Sequence, residues 1–208
     1  MTDRATDRVT EPSLRDAKRA ATARALSEAA FALASERGVD GFTIDDVAAR
    51  AGYSRRTFAN HYSCKEEAVA AVILEVVREG VGQLPDVPAD APLLDWLSGV
   101  ARQQLSGPML ETIRSVQALA EAHPSLDPWF LEVQRTIRQV ALDVVSERAG
   151  ERYYALYVHL LVGALYGALS AVLDGPFTLR LPGERKQAAS LDVDAFLATT
   201  FAHLRDGF

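Results

Sequence analysis

The sequence predicts an all-α protein of about nine helices, and three observations carry that prediction. Apolar residues recur at i, i+3, i+4 and i+7 through most of the chain, and no stretch alternates with the period of a strand. Glycines and capping residues stand where such stretches stop and start. Three prolines stand at the heads of later ones. At 208 residues a substantial core is available, as one large or two small domains. Hydrophobic residues at 49% and charged ones at 24% place the chain among ordinary soluble globular proteins. A single cysteine excludes an intrachain disulfide and fits a reducing compartment. The start, MTDRATDRVTEPSLRD, lacks the apolar core of a signal peptide and reads as a polar arm over residues 1–13, so a cytoplasmic location is expected.

Taken in order, the first helix is expected from Leu14 or Arg15 to Arg37, with Ala23, Leu26, Ala30 and Leu33 on one face and Gly38 as its stop. Thr43 is a good N-cap for a second helix, and Asp46 completes a capping box with it. Ile44, Val47, Ala48 and Ala51 then form one apolar face, and Gly52 supplies a left-handed end. Ser54 can cap a third helix over residues 55–62, in which Phe58 and Tyr62 share a face. Ser63 and Glu66 form a second capping box, and Val69, Val72, Ile73, Val76 and Val77 carry the fourth helix to about Gly80. The run VGQLPDVPADAP, rich in proline, breaks the pattern.

Pro92, Pro108 and Pro128 suit first helical positions and set helices near 92–106, 108–122 and 127–148, the last ended by Gly150. Phe130, Val133, Ile137, Val140 and Val144 make a core stripe on that seventh helix. From Tyr153 to Leu173, 21 residues contain no Asp, Glu, Lys or Arg, long enough for a membrane span. His159, the two glycines, and Tyr157 and Tyr166 away from the ends argue against a membrane. A helix buried on two sides, one against its own core and one against a partner subunit, has the same composition. Residues 175–190 read as a long irregular loop, and a ninth helix follows from about Asp192 to Leu204.

The second and third helices with their tight turn form a helix-turn-helix, with residues 55–62 as the recognition helix. Arg55, Arg56, Thr57, Asn60 and His61 point away from its apolar face, and nearly all can donate to a phosphate or a base edge. The net charge of −6 is distributed unevenly: residues 1–66 carry 11 Lys/Arg against 10 Asp/Glu, and residues 67–208 carry 11 against 18. Arg15, Lys18, Arg19, Arg55, Arg56 and Lys65 concentrate positive charge at the helix-turn-helix end, so a DNA partner fits an acidic chain.

From Ala20 to Val69 the chain resembles the DNA-binding domain of the TetR/AcrR family of bacterial transcriptional regulators. The resemblance rests on the helix ending near Gly38, the GFTIDDVAARAGYSRRTF run, the aromatic close at His61-Tyr62 and the SCKEE helix start. It implies a DNA-binding domain over 14–66 and a ligand-binding and dimerisation domain over 67–208. By that resemblance Thr43 and Ser54 hold phosphates, Arg55, Arg56 and Thr57 read base edges, Asn60 and His61 make later base or phosphate contacts, and Lys65 touches the backbone. Ala59 departs from the family, which often has an aromatic residue there, and gives up a phosphate contact.

One short recognition helix offers few contacts, so a homodimer reading a near-palindromic operator is expected. The resemblance assigns the interface to the last two long helices. Gly163, Ala164, Gly167, Ala168 and Ala171 are candidates for the closest approach, with Leu197, Phe201 and Leu204 on the ninth helix. It also implies a cavity among helices four to eight for a small apolar or amphipathic effector, for which Trp96, Met109, Ile113, Trp129, Phe130, Tyr157 and His159 are candidate lining residues. The function expected is therefore a transcriptional repressor released by that effector. An enzyme is not expected: the four histidines lie far apart in sequence, and no HExxH, GxSxG, P-loop or paired-cysteine pattern occurs. No cofactor or metal is implied. Two alternatives are a helical protein-interaction module and a redox-responsive regulator acting through Cys64 at a helix start.

Overall fold

A computed structural model describes residues 13–86, 91–105, 108–173, 178–180 and 190–206, so the expected N-terminal arm lies almost wholly outside the described residues. The first helix, α1 (Leu14–Arg37), begins where Ser13 accepts the Asp16 N–H. Its buried stripe is Leu26, Ala29, Ala30, Leu33 and Ala34. It ends at Gly38, whose φ of 70° only glycine adopts without strain. After a 3₁₀ turn at Val39–Gly41 come α2 (Ile44–Ala51), α3 (Arg55–Ala59) and α4 (Lys65–Gly82). Phe58 from α3 is wholly enclosed by α1, α2 and α4, worth about 1.5–3 kcal/mol for a side chain of that size.

Two boundaries next to the turn of the motif differ from the sequence reading. The third helix stops at Ala59, three residues early. Beyond it the Asn60 N–H is shared between the carbonyls of Arg56 and Thr57, and the His61 N–H reaches Phe58 O at 2.9 Å, so the chain tightens into a turn. That turn brings Tyr62 inward beside Phe58, ring centres 5.8 Å apart. The fourth helix is capped by Cys64, whose Sγ accepts the Glu67 N–H, and Glu67 rather than Glu66 reaches back to the N–H and hydroxyl of Ser63. The expected reciprocal box does not form: Cys64 receives the Glu67 N–H, and the Glu67 carboxylate bonds Ser63, the residue before the cap.

The remaining helices are α5 (Leu93–Gln104), α6 (Pro108–Ala122), α7 (Asp127–Ala149), α8 (Ala155–Leu173) and α9 (Val193–Asp206), giving nine α-helices among the described residues. Two three-residue strands, β1 (Thr178–Arg180) and β2 (Ser190–Asp192), pair in parallel where an irregular loop was expected. Three residues are too few to show alternation. What holds them is Leu179, buried in the core beneath α8 and α9, and an Arg180–Asp192 ion pair at 3.1 Å.

Three apolar clusters organise the molecule, and α4 is shared between two of them. Ala68, Val69 and Ala71 pack into the helix-turn-helix core, whereas Ala70, Val72, Ile73 and Val77 pack with Ile113 and Val116 of α6 and Val133 of α7. The third cluster joins α5, α7, α8 and α9 around Leu94, Trp96, Val158, Val162 and Phe201. A second link crosses from the C-terminal part: Leu126, in a 3₁₀ turn after α6, is wholly buried in the helix-turn-helix core. Beside it the His123 Nε2 accepts the Val39 N–H at 3.4 Å. The one buried carboxylate among the described residues, Glu75 on α4, sits between Arg24 of α1 and Arg78.

Candidate nucleic-acid interface and the cavity behind it

Local hydrogen bonding shapes the interface. Thr43 and Asp46 close a full capping box: the Thr43 N–H and hydroxyl donate to Asp46 Oδ2 at 2.8 and 2.7 Å, and Thr43 Oγ1 accepts the Asp46 N–H. Those bonds hold the Asp46 carboxyl below the usual carboxylate range. Gly52 takes the left-handed conformation that ends α2, at φ 76°, and Ser54 caps α3 by accepting the Thr57 N–H at 3.1 Å. The Ser54 and Thr57 hydroxyls lie 2.9 Å apart. Arg50 clamps α2 to α1 through two 2.6 Å bonds to the Glu36 carboxylate.

Of the residues expected to meet DNA, Thr43, Ser54, Arg55, Arg56 and Asn60 are exposed on one end of the molecule, and Thr57, His61 and Lys65 are half-buried. Arg56 has no partner among the described residues. Arg55 is held differently: its Nη1 lies 2.8 Å from Asp45 Oδ2 on α2. Lys65 donates to the Phe42 carbonyl at 3.0 Å, with its ammonium over the Phe42 ring, so it braces α4 against the chain entering α2. Partial burial and the Arg19 cation nearby push the His61 imidazole below its usual pKa, toward the neutral form. Tyr62 belongs to the core: its hydroxyl donates to Ala23 O at 3.0 Å, and burial pushes its pKa up to about 12. Two features escaped the sequence reading. Tyr53, in the turn, is exposed beside the cap of α3, and Asp45 faces Arg55. The α2–α3 crossing that creates the second contact carries no local signal.

Cys64 is half-buried, and burial pushes its thiol pKa up, against the lowering that a helix start exerts. Among the described residues no group of three His, Cys, Asp or Glu side chains is arranged to hold a metal ion.

Behind this end, α5, α6, α7, α8 and α9 line a partly open apolar cavity of about 220 Å³, walled by residues such as Leu97, Leu105, Val145, Leu169 and Phe201. Gln104, Tyr166 and Thr200 are the polar side chains on its wall. The seven expected lining residues do not converge on it. Met109 alone of them is on the wall. Trp96 is buried in the α5–α9 core with its indole N–H on Pro85 O, and Ile113 and Phe130 pack with α4. Trp129 lines a separate open cleft of about 520 Å³ between α1, α4 and α7. Tyr157 stacks on Tyr153 at 5.2 Å, and His159 faces outward, its Nδ1 2.9 Å from Ala155 O. Residue type was a poor guide: the rings on the wall are Tyr166, Phe196 and Phe201, and the position of a helix face, which the sequence does not encode, decides which rings meet the cavity.

Gln104 also reaches out of the wall. Its Nε2 donates to Gly80 O near the end of α4 at 2.9 Å. A Cβ on Gly80 would come within 2.0 Å of Gln104 Oε1, so the absence of a side chain there permits the contact.

Helix α8 has one inner and one outer face, with 22% of Ala155–Val172 buried. Gly163, Gly167 and Ala171 are exposed, and Ala164 and Ala168 line a groove toward α9 with Ala195, His203 and Leu204. Leu156 and Leu160, exposed at 61% and 62%, continue the outer face and were missed, although the helical spacing of four, three and four residues through Leu156, Leu160, Gly163 and Gly167 was available in the sequence. Leu197 and Phe201 are corrected: each is 3% exposed and packs inside the core of its own chain, because α9 turns that stripe toward α5.

Residues 26–72 match the family model described as bacterial regulatory proteins, tetR family. No curated protein matches the chain. Solved structures similar to it include a tetR-family transcriptional regulator from Mesorhizobium loti, at 19% identity and TM-score 0.49, covering 91% of this chain and 96% of that one. A TetR/AcrR regulator from Thermobifida fusca is similar at 14% identity and TM-score 0.47, covering 92% and 98%. A transcriptional regulator from Rhodococcus is similar at 22% identity and TM-score 0.44, covering 89% and 96%.

Proposed function

We propose that this chain, whose residues 26–72 match the tetR-family model, is a repressor that binds a near-palindromic operator as a homodimer and leaves it when a small apolar molecule enters the α5–α9 cavity. Residues 14–66 hold the operator, and 67–208 dimerise and sense the effector. Thr43 and Ser54 hold phosphates with Lys65, and Arg55, Arg56 and Thr57 read base edges, with Asn60 and His61 at the margin. The observation that carries the reading is the course of α4. Its first turns belong to the helix-turn-helix core, and its end is bonded through Gly80 to Gln104, a wall residue of the cavity.

A ligand that swells the cavity moves the Gln104 amide and loosens the end of α4. The equilibrium then shifts to a dimer shape whose recognition helices no longer match the half-site spacing. A ligand needs unequal affinity for the two shapes to do this. An effector of low polarity suits the wall, on which three polar side chains stand among aliphatic and aromatic ones.

For the dimer, support comes from the outer face of α8. Leu156, Leu160, Gly163, Gly167 and Ala171 make an apolar strip open to solvent in one chain. An added Cβ at Gly163 or Gly167 would touch nothing within 4 Å, so their smallness has no use inside the chain and lets a second α8 approach closely. With Ala164, Ala168 and Leu204 along the groove to α9, that face forms a helical bundle with its copy.

Fluorescence anisotropy tests the proposal, with the intergenic DNA beside the gene titrated against scrambled DNA of equal length. Preference for the intergenic duplex at a stoichiometry of two chains per site supports it. Equal affinity for both duplexes refutes it.

A further inference from the structure

Two neighbouring carboxylates open α2, and the fold uses only one of them. Asp46 turns back along the surface and completes the cap with Thr43. Asp45 takes no part in the cap and faces α3, 63% exposed at its side chain, at the end of the molecule where DNA phosphates would approach. A negative charge there is unfavourable for binding any duplex. Its partner is Arg55 Nη1, at 2.8 Å.

We propose that Asp45 is a specificity-determining residue of the operator interface, acting through Arg55; the inference rests on the DNA-binding role assigned to that arginine. A guanidinium without a partner gains from any phosphate within reach, whatever the sequence. Arg55 gains less, because leaving Asp45 for a phosphate strands the carboxylate in the field of the DNA backbone. A guanine in the major groove presents two neutral acceptors, O6 and N7. Arg55 can meet them with its remaining N–H groups, four of five, while Nη1 stays on Asp45. Asp45 therefore penalises sequence-independent contact and spares guanine readout. It also fixes the direction of a long side chain that would otherwise be ordered only on binding. In water the pair is exposed and contributes little to stability, so folding does not explain it.

The test is selection of binding sites from a random duplex library by the wild-type chain, by Asp45→Asn, by Arg55→Ala and by the double variant, followed by anisotropy titrations on the selected site and on scrambled DNA. Asp45→Asn is expected to bind scrambled DNA more tightly and to lose about tenfold in the ratio of selected to scrambled affinity, with guanine preference weakened in both half-sites. In the Arg55→Ala background the same substitution should leave that ratio unchanged, since the arginine is gone. Thermal unfolding of all four proteins separates this from a change in folding. If the wild-type chain selects no sequence, the DNA-binding assignment of Arg55 fails. If it selects a sequence and Asp45→Asn keeps the same ratio, Asp45 has no part in specificity. A ratio that falls equally with and without Arg55 also overturns the proposal, because the carboxylate then acts without the arginine.

Discussion

Replacing Gly80 by alanine separates the stability of the chain from its grip on DNA. The new Cβ would lie 2.0 Å from Gln104 Oε1, so the amide at the end of that flexible side chain must swing away and its 2.9 Å bond to the Gly80 carbonyl is lost. A bond of this kind contributes about 1 kcal/mol. Alanine in place of glycine inside a helix returns about 1 kcal/mol. Thermal unfolding should therefore change little. Operator affinity should not be spared. If the Gln104 bond holds α4 in the operator-binding position, each chain of a dimer loses about 1 kcal/mol of bias, and the pair weakens operator binding about 30-fold. Gln104→Ala, which removes the donor and leaves Gly80 intact, should reproduce that loss. The assay is anisotropy on the intergenic duplex at fixed salt, with unfolding curves recorded beside it. Unchanged operator affinity in both variants would refute the coupling between cavity and α4.

Other substitutions probe other parts of the reading. Arg55→Ala and Arg56→Ala should each reduce discrimination between operator and scrambled DNA by about tenfold or more, with unfolding unchanged; equal loss on both duplexes would make them phosphate contacts only. Leu160→Glu places two like charges on the outer face of α8, and sedimentation should show a folded monomer that has lost operator binding; a surviving dimer would move the interface elsewhere. Asp46 has a depressed folded-state pKa, so its contribution is present above the ordinary carboxylate range and lost as pH falls through the lower folded value. The Tm difference between wild type and Asp46→Asn should therefore be largest near neutral pH and close on acidification; a difference independent of pH would show that the cap bonds survive protonation.

Capping and periodicity made the helix-turn-helix legible, because Thr43, Asp46, Gly52 and Ser54 act on residues within one turn of themselves. The same local logic misplaced the start of α4, where Ser63 and Cys64 are both serviceable caps and only the geometry of Glu67 chose between them. The candidate cavity was legible far less well. Seven residues, most of them aromatic, were its expected lining, and of these Met109 alone stands on the wall, since a cavity is a property of what five helices together fail to fill. The outer face of α8 was half legible: its glycines were noticed, and the two leucines in line with them were not.

By itself the sequence determined that this chain is helical, where nearly every helix lies, and that residues 43–65 carry a DNA-binding motif. These follow from hydrogen bonds and side-chain spacings that span four or five residues. The tertiary structure decided which faces those helices bury. It turned Leu197 and Phe201 inward and Leu156 and Leu160 outward, set Leu126 in the core of the other half, joined Gln104 to Gly80 and set Asp45 against Arg55. Each of those outcomes depends on the angle and distance between helices far apart in the chain, which period and propensity do not encode.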